Sequence, residues 1–182
     1  MIKIGILGEI GSGKSFVAKN FSLPLFNADH EVSKIYNSNK KCYKLLKKEF
    51  PKQISNFPVE KRDLFRIILS NEKNIKIIGK IIHPFVRKNL KNFIKKNIKK
   101  KAVVLDIPLL VENKLYDRKT ILIFVEAKKK HIKERLIKRK NFNSKIYKFV
   151  KKNQKPPHVK KKISKFVIKN NFKYKDIRYK IN

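Results

Sequence analysis

The chain has 182 residues, enough for one domain with a full core and too few for two ordinary ones. A formal net charge of +36, from 49 Lys and Arg against 13 Asp and Glu, attracts polyanions without selecting one, while the lone Cys42 excludes an intrachain disulfide, a CxxC redox motif and a cysteine-built zinc site. No apolar run reaches bilayer length, and MIKIGILG at the start is broken by Lys3 and lacks a signal-peptide layout, so the expectation is a folded cytoplasmic protein with no membrane partner. Arg fills only seven of the 49 basic positions, and Lys, Ile and Asn crowd the chain together, as A/T-rich coding would produce. Specific nucleic-acid recognition would favour Arg forks and interleaved exposed aromatics. No specific nucleic-acid partner is therefore expected, only nonspecific attraction to polyanions.

In chain order, IKIGIL (2–7) is a short β-rich apolar run, and KSFVAKNF (14–21) has helical spacing. Pro24 breaks that pattern, LFNAD (25–29) offers a brief second strand, and residues 31–50 are read as helical. The stretch 59–99 carries apolar residues three and four apart, predicting helices interrupted at Pro84. AVVLD (102–106) and TILIFV (120–125) are continuous apolar runs, as strands buried on both faces would be. Basic helical segments follow at 128–139 and 144–153, then a KPP break, a last strand at KFVIKN (165–170) and a short closing helix. Strands alternating with helices predict an α/β fold with a parallel sheet of about five strands flanked by helices, binding its ligand beyond the carboxyl ends of the strands.

GEIGSGKS (8–15) lies between the first strand and the first helix and satisfies G-x-x-x-x-G-K-[ST], the phosphate-binding loop. Gly8, Gly11 and Gly13, with Ser12 between the last two, let successive backbone N–H groups turn toward a β-phosphate. Lys14 reaches the β and γ oxygens, and the Ser15 hydroxyl binds Mg²⁺. The helix that starts there adds its positive end. These residues predict ATP and Mg²⁺ at a P-loop NTPase-type sheet; the loop by itself does not separate a kinase from an NTPase.

LGEIGSGKS, NADHEV (27–32), IIHPFVR (81–87), DIPLLVEN (106–113), ERLIKR (134–139) and FVIKNN (166–171) stand in an order and spacing that resemble the dephospho-CoA kinase family over essentially the whole chain. DIPLLVE together with HPFVR is the most specific part. The resemblance implies ATP-dependent phosphorylation of the ribose 3′-hydroxyl of dephospho-CoA, giving CoA and ADP. It also implies one domain over 1–182, with a helical acceptor-binding insertion at about 59–100 and a lid at about 128–158.

A ribose hydroxyl that accepts a phosphoryl group benefits from a carboxylate aimed at its proton. Asp29 fits this role at the second acid of the family's D-A-D pattern, with Asn27 at the first; it also suits a cap for a helix beginning near His30. Asp106, at the end of AVVLD, suits either a Walker-B-type acid holding a magnesium-bound water or orienting the acceptor, or a structural strand terminus. Pro108, Leu109 and Leu110 read as a rigid apolar wall for the acceptor, and Glu112 as an acceptor contact or a helix-start acid. His83 precedes Pro84, which ordinarily marks a turn or helix start; the resemblance puts it in the acceptor site, where Arg87 would pair with phosphate groups. Arg135 and Arg139, four apart on one helical face, are nucleotide contacts, with Arg139 reaching the transferring phosphate from the lid, or else members of a solvated basic helix. Phe16 follows the Mg²⁺-binding serine, Gln154 matches a family position in the lid, and Asn170 falls where adenine rests in this fold.

The departures from the family are Glu9 for a glycine of the loop, Phe16 for a threonine, Asn27 for an acid, Lys140 for the Asp of an R-D pair, and Lys165 and Lys169 for acids near the final strand. A carboxylate at Glu9 would repel the phosphates unless it points to solvent. Two competing readings stand beside the leading one: another small-metabolite or nucleotide kinase of the same fold, and a basic nucleic-acid-binding protein with a vestigial nucleotide site. Lys14, Ser15 and Asp29, all intact, weigh against the second. Nothing in the sequence sets an oligomeric state.

Overall fold

The computed structural model describes residues 1–138 and 142–181. Its strands are β1 (Ile2–Gly8), β2 (Leu25–Asn27), β3 (Ala102–Asp106), β4 (Thr120–Glu126) and β5 (Phe166–Lys169). Its helices are α1 (Lys14–Lys19), α2 (Ala28–Ser38), α3 (Lys40–Glu49), α4 (Lys61–Ser70), α5 (Asn74–Lys96), α6 (Lys129–Ile137), α7 (Ser144–Lys152), α8 (Pro157–Lys162) and α9 (Tyr174–Ile181). They fall into two compact units, one of Met1–Asn27 with Asn97–Asn182, the other of Ala28–Lys96.

The first unit is built on a five-stranded sheet in the order β2-β3-β1-β4-β5, with every pairing parallel. The chain runs to one side of β1 for β2 and β3 and to the other for β4 and β5. The carboxyl end of β1 is thus the topological switch point where ligands of such sheets bind. All five residues of β3 and the middle of β4 are buried, as continuous apolar strands covered on both faces require. Ile6, Val17, Ala18, Val104, Ile123, Val125, Ile168 and Ile177 form the core between sheet and helices. Each aliphatic of Val or Ile size buried there contributes about 1.5–3 kcal/mol relative to exposure.

The second unit is helical, with α5 packed against α2, α3 and α4. The sequence predicts one helix over 31–50 where the structure has two, and the first begins at Ala28. Asn39 makes the break: its backbone is extended, and its side-chain oxygen accepts the Cys42 backbone N–H at 2.9 Å, capping α3. The expected interruption at Pro84 does not occur, and α5 runs through it. Proline removes one helical hydrogen bond and crowds the carbonyl of the preceding turn, costing about 3 kcal/mol. Ile78, Ile82, Val86 and Leu90, buried at four-residue steps, together outweigh that cost at about 1.5–3 kcal/mol each, and Pro84 itself faces solvent. The KPP break at 155–157 is followed at once by α8, with Pro157 in its first turn, where a missing N–H costs nothing. Cys42 is fully buried, and burial pushes its thiol up to about 11. Among the described residues no helix is long and apolar enough to cross a membrane.

Candidate active site

β1 ends at Gly8 and α1 starts at Lys14, so the chain must turn over residues 9–13 at the switch point of the sheet. Gly8 has φ 149°, and a Cβ there would lie 2.6 Å from both the Val125 carbonyl oxygen and Ser12 Oγ. Gly13 is the N-cap of α1 in the left-handed conformation, φ 89°; a Cβ on it would stand 2.2 Å from Asn170 Nδ2 and 2.8 Å from the Phe172 ring. Only glycine allows so close a backbone approach. Lys14 donates to the carbonyls of Glu9 at 2.8 Å and Gly8 at 3.3 Å, which holds its ammonium over the loop. Glu9 also accepts the Ser12 backbone N–H at 3.2 Å, so its backbone shapes the turn. Ser12 is 1% exposed, and its hydroxyl has no hydrogen-bond partner among the described residues. An orphaned buried hydroxyl beside a glycine cradle is costly unless an acceptor oxygen comes to it, which a bound phosphate supplies.

Asn170 clasps the loop from β5. Its backbone N–H donates to Glu126 at 2.7 Å, its Nδ2 to the Ser12 carbonyl at 2.9 Å, and its Oδ1 accepts the Phe172 N–H at 2.8 Å. Phe172 is held at φ 65°, with its ring against Gly13; Arg135 of α6 lies over that ring, 4.4 Å from its centre, and His131 meets it edge-on. The structure thus brings Gly8, Gly11, Ser12, Gly13, Lys14, Arg135 and Asn170 around one loop, with α6 residues Ile132 and Leu136 packed beside Gly11. Ser15 is half-buried in the first turn of α1, and the Phe16 side chain packs against the core. Arg139 and Lys140 lie outside the described residues.

Asp106 ends β3, 3% exposed, and accepts a hydrogen bond from Asn27 Nδ2 at 2.6 Å across the β2–β3 pairing. The amide at position 27 therefore gives the buried carboxylate a neutral donor. In the turn that follows, Pro108 and Leu109 are half-buried, whereas Leu110 is 1% exposed and sits against Gly5 of β1. Leu110 is thus a core residue and no part of an acceptor wall. No helix starts at Glu112, so that reading of it is wrong. Its Oε1 accepts the Lys155 backbone N–H at 2.8 Å and pairs with Lys160 Nζ at 3.3 Å. Lys160 escaped notice because one lysine among 42 carries no signal of burial; Phe172 and His131 were missed because neither belongs to a motif.

Asp29 is exposed in the first turn of α2, one residue inside a helix that begins at Ala28, so it is not the cap. His83 and Arg87 stand four apart on α5, and His83 lies in mid-helix, not at a turn or start. Its ring lies over Gly79, and desolvation by burial, with a smaller contribution from the Arg87 guanidinium, holds its imidazole below the ordinary histidine value.

The family model described as dephospho-CoA kinase matches residues 2–176. This chain belongs to the dephospho-CoA kinase family. It is 35% identical to the dephospho-CoA kinase of Bartonella quintana in an alignment 170 positions long that covers 91% of this chain and 87% of that relative. It is 30% identical to the dephospho-CoA kinase of Ehrlichia canis in an alignment 187 positions long that covers 100% of this chain and 93% of that relative. A crystal structure of TT1252 from Thermus thermophilus superposes with a TM-score of 0.76 at 28% identity, covering 97% of this chain and 92% of the other. The dephospho-CoA kinase of Campylobacter jejuni shares the fold, with a TM-score of 0.65 at 22% identity over 98% of this chain and 93% of the other.

Proposed function

We propose that this family member transfers the γ-phosphoryl group of ATP to the ribose 3′-hydroxyl of dephospho-CoA, releasing CoA and ADP. The observation that carries this reading is the phosphate loop at the switch point, where Gly8 and Gly13 leave room for no side chain and the buried Ser12 hydroxyl has no partner among the described residues. The 3′-oxygen bonds to the γ-phosphorus as the bond from that phosphorus to the β–γ bridging oxygen breaks. Asp29 takes the hydroxyl proton. Lys14 leaves the Glu9 and Gly8 carbonyls for the β and γ oxygens, and Arg139, from a lid at about 128–158, offsets charge on the transferring group.

Arg135, Asn170 and the backbone of Phe16 hold the nucleotide, while His83, Arg87, Asp106, Pro108 and Leu109 hold the acceptor, with the helices at about 59–100 as its binding surface. The Ser15 hydroxyl and the Asp106 carboxylate are hard oxygen donors of the kind Mg²⁺ takes, Asp106 through a water. When bound, the ion neutralises charge on the β and γ oxygens.

The test is chromatographic detection of CoA and ADP from Mg·ATP and dephospho-CoA, wild type beside Asp29→Asn. The expected result is stoichiometric CoA and ADP, with turnover in the variant down by about 10²–10⁴ and ATP affinity nearly unchanged. Normal turnover in Asp29→Asn would remove Asp29 as the base; bound ATP with no CoA from the wild type would overturn the acceptor.

A further inference from the structure

Among the residues whose burial is described, Lys160, in α8, is the one fully buried lysine, 3% exposed. An ammonium taken out of water must be paired, and its partner is Glu112, itself only 12% exposed at the side chain. A single oxygen, Glu112 Oε1, receives both Lys160 Nζ and the Lys155 backbone N–H. It thereby grips two points five residues apart, one just before α8 and one inside it. Lys160 also anchors the end of α8, where its carbonyl accepts the Ser164 hydroxyl at 2.8 Å. On the other side, Glu112 closes a turn whose Leu110 and Val111 are 1% and 2% exposed. Asp106, Pro108 and Leu109 therefore reach the site on a segment clamped at both ends, by the sheet at Asp106 and by α8 at Glu112.

We infer that the Lys160–Glu112 pair is a positioning device: it fixes the turn at 107–114 to α8 and so sets affinity for dephospho-CoA. This rests on the kinase reading above. A buried ion pair is an inefficient way merely to fill space, since apolar residues of like volume often serve stability as well or better. What the pair adds is geometry, because an ammonium meets a carboxylate in a restricted arrangement that two methionines do not impose. Both residues act through the turn they hold, and neither touches the reacting atoms.

The experiment compares wild type, Lys160→Met, Lys160→Arg and the double variant Glu112→Met with Lys160→Met. It measures backbone amide exchange over 107–115, melting temperature, ATP affinity, and KM for dephospho-CoA. Expected for Lys160→Met are faster exchange in that turn and a KM for dephospho-CoA raised ~10-fold or more, with ATP affinity changed by less than about twofold. Lys160→Arg should recover much of the acceptor affinity, and the double variant should regain melting temperature but not KM. The proposal is overturned by an acceptor KM near wild type in Lys160→Met, by ATP affinity falling in step with it, or by a double variant that restores KM along with stability. Should wild type form no CoA, the kinase reading fails and the acceptor role falls with it. Unchanged exchange at 107–115 would then also overturn the tether.

Discussion

Gly13 carries three demands at once: it caps α1, adopts φ 89°, and lets the Asn170 amide and the Phe172 ring come within reach of its α-carbon. Gly13→Ala is expected to cost about 1–3 kcal/mol from backbone strain alone. The added methyl would also displace the Asn170 side chain from the Ser12 carbonyl, so nucleotide affinity should fall along with melting temperature. Calorimetric titration with ADP beside a thermal melt checks this, and unaltered ADP affinity would separate the glycine from the site. The motif spacing made Gly13, Lys14 and Ser15 legible without coordinates. It could not reveal that Asn170, 157 positions beyond Gly13, donates to the Ser12 carbonyl of the loop while two more hydrogen bonds, to Glu126 and from Phe172, hold it in place, since no local pattern encodes a contact across the sheet. Asn27 is a related case. Its departure from an acid is plain in the sequence, but only the β2–β3 register shows that its amide serves the buried Asp106.

At the scale of elements, apolar runs and helical spacing located β1, β3, β4 and β5 within about a residue or two at their ends. Where the reading failed, a stronger local or tertiary term was acting. Asn39 interrupts a helical pattern because its side chain satisfies a backbone N–H that a continuous helix would have paired internally, and the chain restarts as α3. Asn39→Ala should destabilise the protein by about 1 kcal/mol, seen as a lower melting temperature or urea midpoint with an unchanged denaturant slope. A melt identical to wild type would mean the cap contributes nothing. Pro84 is the converse case: its local preference to break a helix is overridden by four buried aliphatics of α5 that no propensity scale weighs. Likewise, Glu112 resembles a helix-start acid in sequence and is instead the partner of Lys160.

Across the whole molecule, the net charge of +36 is the feature least explained by the site. Charge spread mostly on exposed lysines supplies attraction without readout. Duplex DNAs of unrelated sequence should therefore bind with equal affinity, and that affinity should fall by about 10³ or more between roughly 50 and 200 mM salt. Fluorescence anisotropy across a salt series measures this, and sequence-selective binding that survives high salt would show a built nucleic-acid site instead. The sequence by itself determined the parallel α/β class, the phosphate loop and the family, because apolar continuity, glycine spacing and motif order are local properties written along the chain. The tertiary structure alone decided which side chains meet: Asn170 with the loop, Asn27 with Asp106, Arg135 on Phe172, and Lys160 buried on Glu112. Those contacts depend on strand register and on burial, which set distances between residues far apart in sequence and leave no periodic trace in it.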